Sequence, residues 1–377
     1  FQMLSIEGVF SSISISNYSQ SDCDISFNYL TSPLMQTLRI VHIILSSTGL
    51  LSTSLFAFVL FSKNSSNLHI NLRVSLISLS LASFIACLQL LFTALYGLAL
   101  TLSMDDHCNA IMDAKSCALV RWPIVLSIYC TLGGLLCIAI ERTIATIRYK
   151  TYEVHGSRIV SFLLVSAQWL LSLFFSIFSL SLRSNDGFLH YCTVYISHPK
   201  SAVLSVSIMT ILELFMLSYF ATLLNVNKRK QVNEFVNNAL HSLTERYQLL
   251  ENVRIMQILI PSVTVHAALS LGGLGALLAF ALLHRQMSPS SVVQFAPYSE
   301  LVLLLVPVYA VVFPIVAVGW NTQMRNATKG ALPCLFGEDD TRVISTLQPP
   351  LLNSRPSRDL EKESDRHFGL LVKMWNK

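Results

Sequence analysis

Charge is scarce in this chain. Asp, Glu, Lys and Arg make up 12% of its 377 residues, about half the share of an ordinary soluble domain. The scarcity is uneven: 16 of the 47 charged side chains fall in the last 57 residues, from Asn321 on, which leaves 31 for the first 320. With 53% hydrophobic residues and a mean hydropathy of +0.57, this composition excludes a soluble enzyme, a disordered chain and a nucleic-acid binder. The apolar–polar alternation of a transmembrane β-barrel is absent, and so is the internal repeat of a two-halved transporter. There is no His-x-x-x-His, no Gly-x-Ser-x-Gly and no pair of aspartates within an apolar run. No catalysis, cofactor or metal site is therefore expected. The cluster Asp105-Asp106-His107 reads as a solvated loop rather than a metal site.

Long apolar runs are what the chain does have. About 20 mostly apolar residues cross a bilayer as a helix, and seven runs qualify: 40–61, 74–100, 117–140, 159–182, 202–224, 255–283 and 301–320. The fold class is an all-α membrane protein, a bundle of seven transmembrane helices. One set of short loops and flanks holds eleven Lys and Arg, among them Arg142, Arg148, Lys150, Lys228, Arg229, Lys230, Arg246 and Arg254. The opposite set holds six: Arg39, Lys115, Arg121, Arg183, Lys200 and Arg285. Basic loops stay in the cytoplasm, so the N-terminus is expected outside and the C-terminus inside. That bias also accounts for the net charge of +5. The organisation expected is an extracellular segment over 1–39, a membrane domain over 40–320 and a solvated, largely disordered cytoplasmic tail over 321–377. The opening stretch lacks a basic n-region, so no cleaved signal peptide is expected.

The eight cysteines sort by compartment. Cys87, Cys130 and Cys137 lie in spans and are expected to pack as small hydrophobes. Cys23, Cys108, Cys117 and Cys192 fall on the oxidising outer face. Four cysteines allow three connectivities; Cys117–Cys192 with Cys23–Cys108 is preferred, because the first pair joins the top of the third helix to the second outer loop. Asn17-Tyr18-Ser19 is a glycosylation sequon on the same face. Cys334, past the last span, is either a free thiol or a palmitoylation site.

The third span carries a cysteine at one end and Glu141-Arg142 at the other. The 25 residues from Cys117 to Arg142 rise roughly 37 Å as a helix. An adjacent acid and base at a helix end can hold each other at rest and release when the helix is drawn by a partner. Seven spans, this spacing and this pair resemble rhodopsin-like G protein-coupled receptors. Two departures limit that likeness: the sixth span has no Cys-Trp-x-Pro, and the seventh reads Val312-Phe313-Pro314-Ile315-Val316-Ala317 in place of Asn-Pro-x-x-Tyr. Ile124 stands where amine receptors carry Asp, which disfavours a biogenic amine.

Ahead of the sixth span, Ser242 and Glu245 have capping-box spacing. Leu243, Tyr247 and Leu250 share one helical face, and Glu251 can pair with Arg254 at i, i+3. The sixth helix is thus expected to begin near Leu243, well inside the cytoplasm. The string Leu243-Thr244-Glu245-Arg246-Tyr247-Gln248, closed by Glu251-Asn252, resembles a signature of nematode serpentine chemoreceptors of the Sra superfamily. Glu141-Arg142-Thr143-Ile144-Ala145-Thr146, followed by Tyr152-Glu153, is similar to the same superfamily's second-loop pattern. The class most resembled is serpentine receptor class alpha/beta (Srab), across all seven spans but not the tail. The resemblance implies a chemosensory receptor in sensory-neuron (ciliary) plasma membrane that binds a small ligand and activates a heterotrimeric G protein. Glu141, Arg142, Glu245, Arg246, Tyr247, Glu251 and Arg254 are the coupling residues it implies. It leaves a receptor dimer open. A small-solute transporter or channel is the alternative reading.

Two polar residues inside the membrane complete the reading. Glu213 lies midway along the fifth span, where an ionised carboxylate costs about 2.5–3.5 kcal/mol to insert, and His266 lies on the sixth. Each is about eleven residues from the inner end of its span, which sets them at similar depth. They either contact each other or are buried apart. On the third span Ile124, Ser127 and Ile128 share a face, with Tyr129 on its flank. That face is read as either pocket wall or helix packing. Gln89, Gln168 and Trp169 are further mid-span polar candidates.

Overall fold

The computed structural model describes residues 19–62, 70–103, 107–147, 158–181, 188–192, 199–236, 243–283, 289–320 and 322–332. By internal contacts the chain forms two units, Phe1–Ala327 and Thr328–Lys377. Asn17, Ser242 and Cys334 lie outside the described residues.

Seven helical stretches are long and apolar enough to cross a membrane. In chain order the elements of the first unit are α1 (Gln20–Leu30), α2 (Pro33–Phe61), α3 (Ile70–Ser103), β1 (Met112–Asp113), α4 (Ala114–Ile147), α5 (Arg158–Ser181), β2 (Phe188–Leu189), α6 (Pro199–Val236), α7 (Leu243–Leu283), α8 (Pro289–Leu303) and α9 (Leu305–Trp320). Spans one to six are α2 to α7, and α8 and α9 share the seventh. A last helix, α10 (Thr322–Ala331), runs across the boundary between the units. Most helices outrun their apolar runs because hydropathy marks only the hydrocarbon crossing. Past it, Glu, Lys, Arg and Gln are good helix formers in water. So α4 continues through Glu141-Arg142 to Ile147, and α7 begins at Leu243.

The N-terminal segment differs from expectation. Residues 20–30 are helical, and the first span begins at Pro33 rather than 40. Ser19 donates its backbone N–H (2.9 Å) and its hydroxyl (2.8 Å) to Asp22. These bonds, with His190 beside it, hold the Asp22 carboxyl below its ordinary value. Two of the six basic residues counted to the outer loops, Arg39 and Arg121, are inside helices and buried.

Helix α5 shows what surrounds the bundle. Its buried residues include Ser161, Gln168, Ser172 and Ser176, while Phe162, Leu170, Phe174 and Phe178 are exposed. A polar stripe inward and an apolar face outward is the reverse of a water-soluble helix and matches lipid as solvent. Gln168 knits three helices: it donates to the Cys130 carbonyl at 2.7 Å and accepts from Ser78 at 3.3 Å. Trp169 donates to Ser78 at 2.9 Å. Gln89 donates to the carbonyl of Val120. These mid-span polar groups are structural.

The seventh span is broken at Leu304. Pro307 has no N–H, so the carbonyl of Leu303 has no i+4 donor and the ladder is interrupted there. A core of Phe56, Leu76, Leu135, Phe220, Met256 and Phe313 fills the half of the bundle nearer Arg142. Gly49 lets α2, α3 and α9 converge. A Cβ there would stand 2.7 Å from the Cys87 sulfur and 3.3 Å from the Ala310 Cβ. Gly49→Ala is therefore expected to lose about 1–3 kcal/mol by overpacking. Adding Cys87→Ala should restore most of the loss in thermal unfolding of the detergent-solubilised chain; no recovery would place the strain elsewhere.

Candidate functional site

Midway along the bundle α3, α4, α6, α7 and the broken seventh span enclose a cavity of about 150 Å³. Ser127, Ile128 and Tyr129 of α4 line it, with Glu213 of α6, His266 of α7 and Tyr309 of α9. Ser127 is ten residues past Cys117, roughly 15 Å along the helix. Glu213 Oε1 stands 3.1 Å from His266 Nδ1, so these two residues are in contact across α6 and α7. The approach lies within ion-pair distance but outside hydrogen-bond geometry: His266 Nδ1, Glu213 Oε2 and the Tyr309 hydroxyl are all buried without a hydrogen-bond partner. The Tyr309 ring meets His266 edge-on at 4.5 Å. Buried polar atoms are rarely left unsatisfied, and three of them sit on one wall of an otherwise largely apolar chamber. Ile124 departs from the pocket reading. It is fully buried among Tyr29, Leu90, Val125, Tyr191 and Leu303: it shares a face with Ser127 and Ile128 but lies one turn nearer Cys117 and is not part of the cavity lining. Of the sixth-span glycines, Gly273 packs against Val302, while a Cβ on Gly272 or Gly275 would meet nothing within 4 Å.

One end of the bundle is closed by two disulfides, Cys23–Cys108 and Cys117–Cys192, and by the short β1–β2 ladder, which sets Met112 opposite Leu189. His107 pairs with Asp24 at 2.6 Å and stacks on Phe27. No group of three or more metal-ligating side chains occurs among the described residues. Beneath this cap lies a buried charge cluster that the sequence did not reveal. Glu300 of α8 accepts from Arg121 at 2.8 Å and from the Tyr191 hydroxyl, and stands 3.2 Å from His42 Nε2. Burial and the Glu300 carboxylate push the Tyr191 hydroxyl well above its ordinary pKa, so it remains a donor. The one sequence signal for Glu300 is an acid immediately before the apolar run 301–320, which the sequence reading did not single out.

At the opposite end Arg142 and Glu141, both 2% exposed, form a bidentate pair. Arg142 Nη1 also donates to Asn252 Oδ1 of α7 at 3.2 Å. Nearby, Asn227 of α6 donates to the Thr146 hydroxyl at 2.9 Å, and Lys230 to the Thr146 carbonyl at 3.0 Å. Thr143 and Tyr219 share a hydrogen bond at 2.6 Å. Asn252 was missed as a partner although it closes the quoted loop string. Which way a helix face turns cannot be read from the string. Glu251 is half-buried and Arg254 exposed. Glu245, Arg246 and Tyr247 lie on the first turns of α7, and their side chains are outside the described set.

The family model for serpentine type seven-transmembrane G protein-coupled receptor class ab chemoreceptors matches residues 20–333. Serpentine receptor class alpha/beta-14 of Caenorhabditis elegans is 54% identical over 372 residues, covering 97% of this chain and 96% of that protein.

Proposed function

This chain belongs to the serpentine class ab family of seven-transmembrane chemoreceptors, and from that premise we propose that it binds a small chemical ligand from the outer side and activates a heterotrimeric G protein within. One observation supports this reading above the others: α7 carries His266 on the cavity wall and Asn252 against Arg142. The step of 14 positions from one to the other spans roughly 21 Å of one helix, with Pro261 inside it. A ligand that separates Glu213 from His266 shifts that rod and loosens Arg142 at its far end, as a two-state bundle requires. A cavity of about 150 Å³ is the size that admits a benzene-like molecule, well under a drug-sized pocket. The ligand is therefore small and largely apolar, with one polar group for Glu213, His266 and Tyr309.

In this reading the disulfide end faces outward with Asn17 glycosylated, and the Arg142 end, the Glu245–Arg254 stretch and the tail with Cys334 face the cytoplasm. The receptor works in the sensory-neuron membrane. The test is guanine-nucleotide exchange on a panel of G proteins, with the receptor in nanodiscs and a library of small volatile compounds. Exchange should require a compound, vanish in Arg142→Ala and lose its compound dependence in His266→Ala. Arg142→Ala signalling like the wild type would overturn the coupling assignment, and an unaltered compound response in His266→Ala would overturn the pocket.

A further inference from the structure

A second cavity, of about 90 Å³, lies under the disulfide cap. Its wall carries Arg39, Arg121, His42 and Glu300, each no more than 8% exposed. Glu300 is the one carboxylate on that wall among the described residues, and Arg121 and His42 already face it. Arg39 has no acid. Its Nη1 donates to the carbonyls of Gly97 at 2.9 Å and Leu30 at 3.3 Å, and its side chain lies flat where Gly97 has no Cβ: one built there would be 2.9 Å from Nε. Two guanidiniums therefore face one carboxylate. Arginine does not lose its proton in proteins, so the wall keeps a surplus positive charge in a buried place, where a lone charge is costly. Donors remain as well: Arg121 Nε and Nη1 are buried without a hydrogen-bond partner.

The rest of the wall is mostly apolar, with Leu38, Leu90, Ala94 and Leu100 beside the two arginines and Thr93, Tyr96 and Tyr191 as its remaining polar side chains. A single water needs about 10–15 Å³ measured in the same way, so the space exceeds one inorganic ion or water. We propose that this cavity is a binding site for a short-chain carboxylate, its head held between Arg39 and Arg121 and its aliphatic stem against Leu90 and Ala94. An ambient halide shares the anionic head but lacks the stem, and this difference separates the two sources. The site is distinct from the Glu213–His266 chamber and does not depend on G-protein coupling.

The test is thermal unfolding of the full chain in detergent micelles. Sodium butyrate is titrated at constant ionic strength against sodium gluconate, whose polyhydroxy chain is too long and polar for the stem. Butyrate should raise the melting temperature saturably, while n-butanol, n-butylammonium and chloride at the same concentrations do not. In Arg39→Gln the half-saturating concentration should rise at least about tenfold, the loss of one charge-assisted contact. The shift is read against that variant's own melting temperature in gluconate, because the substitution also removes the Arg39 bonds to Gly97 and Leu30. Ala94→Leu keeps every charge and fills the stem space. It should lose the butyrate shift and keep one for formate, which holds the site testable if Arg39→Gln does not fold. An equal shift from chloride, or one unchanged in Arg39→Gln or in Ala94→Leu, would overturn the assignment.

Discussion

Asn252→Leu is expected to raise nucleotide exchange in the absence of any compound, by about tenfold. The substitution keeps the branched shape and heavy-atom count of the side chain and leaves the Glu141–Arg142 pair in place, but it cuts the Arg142–Asn252 bond that ties α4 to α7. A hydrogen bond to a charged group contributes about 1.5–3 kcal/mol. At 3.2 Å this one belongs at the lower end, and about 1.4 kcal/mol is tenfold in a two-state equilibrium. Asn252→Asp should act in the opposite direction, because it keeps the acceptor and adds a charge opposite the guanidinium. Arg142→Ala also lowers exchange, but by removing the group offered to the G protein. It should stay low when combined with Asn252→Leu. Basal exchange by the three variants and the double variant, at matched amounts of folded receptor, checks the order. If Asn252→Leu leaves basal exchange at the wild-type level, this bond does not hold the resting state.

The largest effect on stability is expected at Glu300. Glu300→Ala strips the carboxylate from Arg121, His42 and the Tyr191 hydroxyl together, leaving a buried guanidinium with no acid. Breaking one partner out of a buried pair costs about 3–5 kcal/mol, a large part of the stability of an ordinary domain. The variant should be recovered from membranes in much lower yield and, where recovered, melt far below the wild type. Glu300→Gln keeps an acceptor for Tyr191 and Arg121 and should fall between. The informative combination is Glu300→Ala with Arg121→Leu. Replacing both members of a buried pair by apolar groups is close to neutral, so the double variant should regain most of the loss although it is one substitution further from the native sequence. A double variant no better than Glu300→Ala would mean that the cluster matters for its shape and not for its charge balance.

How much of this was legible in advance differs by level. The seven spans, the start of α7 at Leu243 and the two preferred disulfides were readable because each rests on a signal local in sequence or on a compartment rule. A bilayer fixes the length of an apolar run, and an oxidising face pairs its cysteines. Glu213 and His266 could be set at one depth by counting along antiparallel helices. Their 3.1 Å approach needed the helix rotations as well, and Ile124 lies outside the pocket because the cavity ends one turn short of it along the same face. Arg39 and Arg121 were misread, and Glu300 was passed over, for one reason. A charge near the end of an apolar run looks like a loop residue, and nothing local says that a longer helix will carry it inward to a partner 179 residues away in the chain, as Arg121 is from Glu300.

The sequence by itself determined that the chain has seven runs long and apolar enough to cross a membrane, which cysteines pair at one end of the bundle and which receptor family its loop strings resemble, because hydrophobic length, residue type and short motifs are one-dimensional quantities. The tertiary structure alone decided that Asn252 accepts a bond from Arg142, that Glu300 gathers Arg121, His42 and Tyr191, and that two arginines and one acid line a single cavity. These are meetings of side chains from helices far apart in sequence, and they depend on helix rotation and tilt, which packing sets.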